Sequence, residues 1–159
     1  MYSWLRAAFV VTLLVSASTA IGQDVLRDGK LTSVLKIVRL QEGFAGATGV
    51  QWTIAPDGRW VCESIGDRGP GERSRGELSA DELVALAELL TKADIATLPA
   101  TAGRPAGANP RILRLEFDDR VMTLNGHGPP QHNGEDLTTV EGRFRAIARG
   151  AVRILKDTK

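Results

Sequence analysis

The sequence predicts an α+β domain: a single antiparallel sheet of about five strands with two helices on one face, in the order β-β-β-α-β-β-α. Three observations predict it. Two stretches alternate apolar and polar residues about short turn sequences, Pro56-Asp57-Gly58 and Asp118-Asp119, as antiparallel hairpins do. Two others, near residues 79–98 and 138–154, repeat apolar residues at helical spacing behind capping signals. The helical stretches follow whole hairpins rather than alternating with single strands, which argues against a parallel sheet. The chain of 159 residues suffices for one domain with a core and is too short for two ordinary ones.

At the N-terminus, residues 1–6 carry one charge, Arg6, and residues 7–15 are apolar apart from Thr12. Small residues follow through Ala20 and Gly22. That order is the order of a secretory signal peptide. The apolar run falls well short of the roughly 20 residues that span a bilayer. Small side chains precede both Ile21 and Gln23, as signal peptidase requires, and no Cys stands there to carry a lipid. The expected organisation is a signal peptide over 1–22, a flexible lead-in over 23–32 and a single α+β domain over 33–159. The expected location is secreted or periplasmic, with no membrane association after cleavage.

Residues 33–41 (SVLKIVRLQ) are rich in Val, Ile and Leu and read as the first strand. Residues 42–49, with glycines at 43, 46 and 49 around Phe44, are expected to break it. Residues 50–55 form a second strand, and Pro56-Asp57-Gly58 turns it into a third, with Gly58 at the left-handed position of a bulged loop. That register sets Ile54 opposite Trp60, Trp52 opposite Cys62 and Val50 opposite Ser64. One face then gathers Val50, Trp52, Ile54, Trp60 and Cys62, which gives the lone Cys62 a buried packing role.

The glycine-rich polar stretch 66–76 (GDRGPGERSRG) reads as a surface loop. Ser79 with Glu82 then forms a capping box, and Leu78 with Leu83 a hydrophobic staple. Leu83, Leu86, Ala87 and Leu90 repeat at helical spacing until Leu98-Pro99. Residues 101–110 read as loop. The hairpin about Asp118-Asp119 pairs Phe117 with Arg120, Leu115 with Met122 and Leu113 with Leu124. After a polar loop over 126–136, the last helix is expected to start near Thr138, capped with Glu141. Val140, Phe144, Ile147, Ala151 and Ile154 form its apolar stripe. Arg145, Arg149 and Arg153 recur at every fourth residue and read as a solvated face.

Hydrophobic residues make up 43% of the chain and charged residues 25%, which excludes a disordered class. Lys and Arg number 20 against 19 Asp and Glu, and removing Arg6 with the first 22 residues leaves 19 against 19. So balanced a chain has no bulk attraction for a polyanion, so no nucleic-acid partner is expected. No Gly-x-Ser-x-Gly elbow, phosphate loop or His-Glu-x-x-His helix occurs. The paired Asp118 and Asp119 suit turn chemistry better than acid catalysis. The expectation is therefore no enzyme, no catalytic residues, no cofactor and no metal. His127 and His132, with Glu135 and Asp136 close behind, are chemically able to hold a transition metal, although their spacing matches no zinc motif. That loop supports an alternative reading, a metal-binding or envelope-associated protein.

The strand running into Gln41-Glu42-Gly43-Phe44-Ala45-Gly46 is similar to the strand followed by Gly-Gly-Phe-Ala-Gly in the emfourin family, small bacterial inhibitors of thermolysin-like metalloproteases such as protealysin. Glu42 stands where that family has its first glycine. Leu78-Ser79-Ala80-Asp81-Glu82-Leu83 with its leucine helix and Leu98-Pro99, the hairpin over 111–125 and the closing helix extend the resemblance over about residues 34–155. The resemblance implies a secreted relative that binds protein, with an extracellular or periplasmic metalloprotease as partner. The protein-binding residues would be Glu42, Gly43, Phe44, Ala45 and Gly46, helped by the loop over 66–76; a relative that kept the fold without inhibition is the structural alternative.

The exported protein is expected to begin at Ile21 or Gln23. Intact-mass spectrometry of the exported form checks this, and retention of residues 1–20 would contradict it.

Overall fold

The computed structural model of the chain describes residues 25–44, 46–66, 69–105, 107–126 and 136–157. The expected signal peptide, most of the loop carrying His127 and His132, and Ala45 lie outside these residues. The elements run β1 (Leu26–Arg27), β2 (Lys30–Leu31), β3 (Leu35–Gly43), β4 (Gly46–Ile54), β5 (Arg59–Ile65), β6 (Gly71–Glu77), α1 (Ala80–Lys92), a 3-10 turn (Ile95–Thr97), β7 (Thr101–Gly103), β8 (Arg111–Phe117), β9 (Arg120–Asn125) and α2 (Val140–Asp157). The class is α+β, but the expected single antiparallel sheet of five strands is wrong. The sheet has seven strands in the order β6-β5-β4-β3-β8-β9-β7, and β1 and β2 pair separately. It is mixed, because β7 runs parallel to β9.

Both predicted hairpin registers are present. Ile54 pairs with Trp60, Trp52 with Cys62 and Val50 with Ser64. Phe117 pairs with Arg120, Leu115 with Met122 and Leu113 with Leu124. Asp118 and Asp119 take positive φ of 52° and 58°, the backbone that a two-residue hairpin loop needs to match the twist of its strands. Alternation along the strands sends Leu35, Ile37, Ile54, Trp60, Leu113, Leu115, Met122 and Leu124 to one face. Those residues share one buried core with Leu83, Leu86 and Leu90 of α1 and Phe144, Ile147 and Ala151 of α2. Both helices therefore lie on the same face. Cys62 is buried in that core, as its packing role requires.

Four expectations fail for identifiable reasons. The stretch 66–76 is not all loop, because residues 71–77 form β6, paired with β5 through a bulge at Cys62 and Glu63. All but Gly76 of its residues are exposed, and an edge strand solvated on both faces has no apolar alternation to betray it. Gly76 makes room for Trp60: a Cβ there would lie 2.8 Å from the indole ring. The stretch 101–110 contains β7, whose three residues are too few to show any period. The lead-in is paired from Leu26 onward, and Val25 and Leu31 are buried in the core; the Leu31 amide donates to Pro56 O at 3.0 Å. Residues 42–49 do not interrupt the strands, since β3 and β4 pair without a break to Gly43 and Gly46.

The route of α1 follows from the strand order. It leaves β6 at one edge of the sheet, and the next strand, β7, is at the other. Seven strands place those edges about 29 Å apart. The 13 residues of α1 cover about 20 Å of that, and residues 93–100 must cover the rest. The capping box starts the helix as predicted, with the Glu82 amide on Ser79 Oγ at 3.3 Å and the Ser79 amide on Glu82 Oε2 at 2.7 Å. At the other end the α-helix leaves its last carbonyls without helical donors; the 3-10 turn serves Asp94 O through the Thr97 amide at 3.1 Å. Arg143 of α2 supplies the donors: Nε to Ala93 O at 2.7 Å, Nη2 to Asp94 O, and Nη2 to Thr97 Oγ1 at 2.7 Å. Arg120 continues the same work, donating to Ala96 O and, at 2.6 Å, to Leu98 O.

Further along, α2 passes so close to α1 that a Cβ on Gly150 would lie 2.6 Å from Leu89 Cδ2. α2 starts slightly later than expected, at Val140, with Thr139 Oγ1 accepting the Gly142 amide at 3.0 Å and Glu141 in the first turn rather than as the cap. Just before it, the Thr138 hydroxyl and amide hold the Asp136 carboxyl below the ordinary aspartate range. None of the helices among the described residues is long and apolar enough to cross a membrane.

Arg143→Met removes the side-chain donors to Ala93 O and Asp94 O and the ion pair with Asp94, while keeping much of the side chain's bulk. With the arginine side chain only 16% exposed, the loss should be on the order of 1–3 kcal/mol, read as a lower urea midpoint. An unchanged midpoint would show that water satisfies those carbonyls equally well.

Candidate functional site

The predicted site residues that the structure describes, Glu42, Gly43, Phe44 and Gly46, lie together at the turn between β3 and β4. β8 accompanies β3 only as far as Gln41, opposite Arg111, with one further bond from the Glu42 amide to Pro110 O at 3.0 Å. On the other side β5 accompanies β4 only from Gly49, opposite Ile65. Between those limits the hairpin is a two-stranded ribbon standing beyond its neighbours, with Glu42 paired to Ala47 and Gly43 to Gly46. Phe44 sits at its end. Its relative exposure of 105% means that it touches essentially nothing, whereas the next most exposed large apolar residue, Val121, reaches 51%.

Glu42, Gly43 and Gly46 are exposed as well. Gly46 takes a φ of +94° to close the turn, a conformation that costs glycine little and other residues more. Beside the ribbon, Asn109 reaches under Gly43, where a Cβ would lie 3.0 Å from Asn109 Oδ1. Gln41, Thr48 and Asn109 line the shallow open depression next to Phe44. The third glycine has a different purpose. A Cβ on Gly49 would fall 2.0 Å from the carbonyl oxygen of Arg39, so Gly49 serves the closeness of β3 and β4 at the base of the ribbon. Of the three glycines around Phe44, only Gly43 and Gly46 are on the tip.

The other sequence candidates are distributed elsewhere. β6 replaces most of the loop expected to assist the tip, and it pairs with the edge of β5. His127 and His132 are outside the described residues, among which no group of three or more His, Cys, Asp or Glu side chains is placed to hold a metal. Asp118 and Asp119 border a second depression of about 270 Å³ with Ser33, Lys36 and Val121. Its Lys36 and Glu116 already satisfy each other at 3.1 Å.

The arginine stripe on α2 departs from expectation. Arg153 is exposed, but Arg149 is half-buried and its Nη2 is buried without an acceptor. Near it lies a residue that sequence reasoning passed over. Arg39 follows Leu35 and Ile37 on the core-facing side of β3, its Cζ is 5.5 Å from the Trp52 ring centroid, and its Nη2 donates to Ala148 O at 3.3 Å. Burial, and then the charge of Arg149, lower its pKa from the ordinary arginine value. The signal was available: an arginine in phase with Leu35 and Ile37 puts a charge where the alternation calls for an apolar side chain.

The sequence matches no protein-family profile and no curated protein.

Gly49→Ala should destabilise the domain and disturb the ribbon, because the new methyl group must displace the Arg39 carbonyl. A cost of about 1–3 kcal/mol is expected from such overpacking, with amide-exchange protection lost first at residues 39–50. Wild-type protection there would show that the strands separate without cost.

Proposed function

We propose that the chain is an exported protein-binding module that inhibits a thermolysin-like metalloprotease, engaging it through the β3–β4 tip with Phe44 as the anchor. One observation carries the reading: a phenylalanine held wholly in solvent at the end of a ribbon that extends past both neighbouring strands. An exposed phenyl ring contributes nothing to the core, yet it offers a large apolar surface to a pocket on a partner. The ribbon's base is tied to the seven-stranded sheet, so the tip is presented with little ordering left to do on binding, which favours affinity. Gly43 and Gly46 leave the backbone beside Phe44 open to close approach. The likeness of Gln41-Glu42-Gly43-Phe44-Ala45-Gly46 to the emfourin turn supplies the class of partner, and residues 1–22 supply the export.

Phe44→Ala should weaken inhibition of a sensitive thermolysin-like protease about thirtyfold, equivalent to about 2 kcal/mol. Its melting temperature should match that of the parent, because the side chain makes no packing contact to lose. Inhibition assays at micromolar protein against several such proteases, beside thermal melts, check both halves. No inhibition by the parent protein would remove the protease reading. A destabilised variant would show that Phe44 packs against the domain in solution.

A further inference from the structure

Arg39 and Arg149 bring two guanidinium groups near each other beside α2, and no ion pair among the described residues matches either with an acid. Arg39 is held from below by the Trp52 ring at 5.5 Å and from above by the Ala148 carbonyl at 3.3 Å. Its Nε is nevertheless buried with no acceptor, and so is Nη2 of Arg149, the residue next to Ala148. Among the described residues the ion pairs join Lys36 to Glu116, Arg59 to Asp57, Arg75 to Glu72 and Arg143 to Asp94, and none of these includes either residue. Arg145, one helical turn before Arg149 on the same side of α2, adds positive charge and no acid.

We propose that Arg39 and Arg149 form a binding site for a single oxoanion group, a phosphate or a carboxylate. Like charges with empty buried donors repel each other and leave hydrogen bonds unmade. One anion between them cancels the repulsion and supplies acceptors to both. The guanidinium fork matches the two oxygens of such a group, and the stacking on Trp52 fixes the plane in which Arg39 offers its donors. Both residues are only half-buried, so a small anion needs a side-chain shift rather than an opening of the core to meet the buried Nε and Nη2. The lowered pKa of Arg39 reflects the same unmatched environment. The site does not rest on the reading of Phe44. Five residues of extended strand separate Arg39 from that ring, about 17 Å.

The test uses the mature protein at constant ionic strength, titrated separately with inorganic phosphate and with acetate against chloride. The side-chain Nε–H resonances of Arg39 and Arg149 are followed by NMR, and melting temperature in parallel. A saturable shift at both arginines is expected with at least one of the anions, together with a rise in melting temperature. Saturation by phosphate alone assigns a phosphate group, and saturation by acetate assigns a carboxylate. Arg149→Gln should weaken binding at least tenfold, Arg39→Lys should weaken it as well by removing the fork, and Arg153→Gln should leave it unchanged. Without anion, Arg149→Gln should melt no lower than the parent, because it relieves a repulsion. Absence of saturation with both anions, equal binding by Arg149→Gln, or a clear drop in that variant's melting temperature would overturn the proposal.

Discussion

Where α1 ends, a 3-10 turn satisfies only part of the backbone, the carbonyls of Asp94 and Ile95, and two distant arginines supply further donors. Arg143 donates to the carbonyls of Ala93 and Asp94, and Arg120 to those of Ala96 and Leu98. Ala93 and Leu98 are buried, and buried carbonyls without donors are costly enough to prevent so abrupt an ending. Once they are held, much else follows. Ala100 O lies 2.9 Å from the Thr123 amide, and β7 begins beside β9 in parallel. Because Arg143 belongs to the first turn of α2, the same contacts set that helix against α1 and over the sheet. The seven-stranded order, with its edges on opposite sides of the helix layer, depends on this junction.

The two ends of the sheet are consequently unlike. Near Ala93 and Arg120 the chain is tied down by side-chain donors to backbone acceptors. At the opposite end β3 and β4 run on after their neighbours stop, and no described strand pairs with them there. A ribbon of that kind is marginal alone. Here its lower half is built into the sheet, and the missing side chain of Gly49 lets the strands close under it. Rigidity at the base and exposure at the tip suit the presentation of one apolar group to another molecule.

The arginines divide along the same lines. Arg143 and Arg120 spend their donors on backbone carbonyls and behave as part of the scaffold. Arg39 and Arg149 have donors left over in a half-buried setting, and among the described residues no ion pair neutralises them. Residue type alone does not separate the two pairs, since all four are arginines beside apolar neighbours in sequence. Their partners do.

Both hairpins, their registers and the first helix were legible because each depends on neighbours along the chain. Pro56-Asp57-Gly58 and Asp118-Asp119 dictate turns of defined length, and Ser79 with Glu82 closes a cap within four residues. Phe44 stood out by the same local logic, an aromatic among glycines. What the sequence alone determined was therefore the α+β class, the paired strands about those turns and the apolar stripes on both helices. The tertiary structure decided the rest: that the polar residues of β6 form an edge strand, that three residues of β7 pair in parallel, that residues 26–31 form a small hairpin, and that Arg39 and Arg149 meet across 110 positions of sequence. Backbone pairing at a solvated edge needs no side-chain pattern, and a contact between distant residues leaves none in either segment. Such features exist only once the chain has closed on itself.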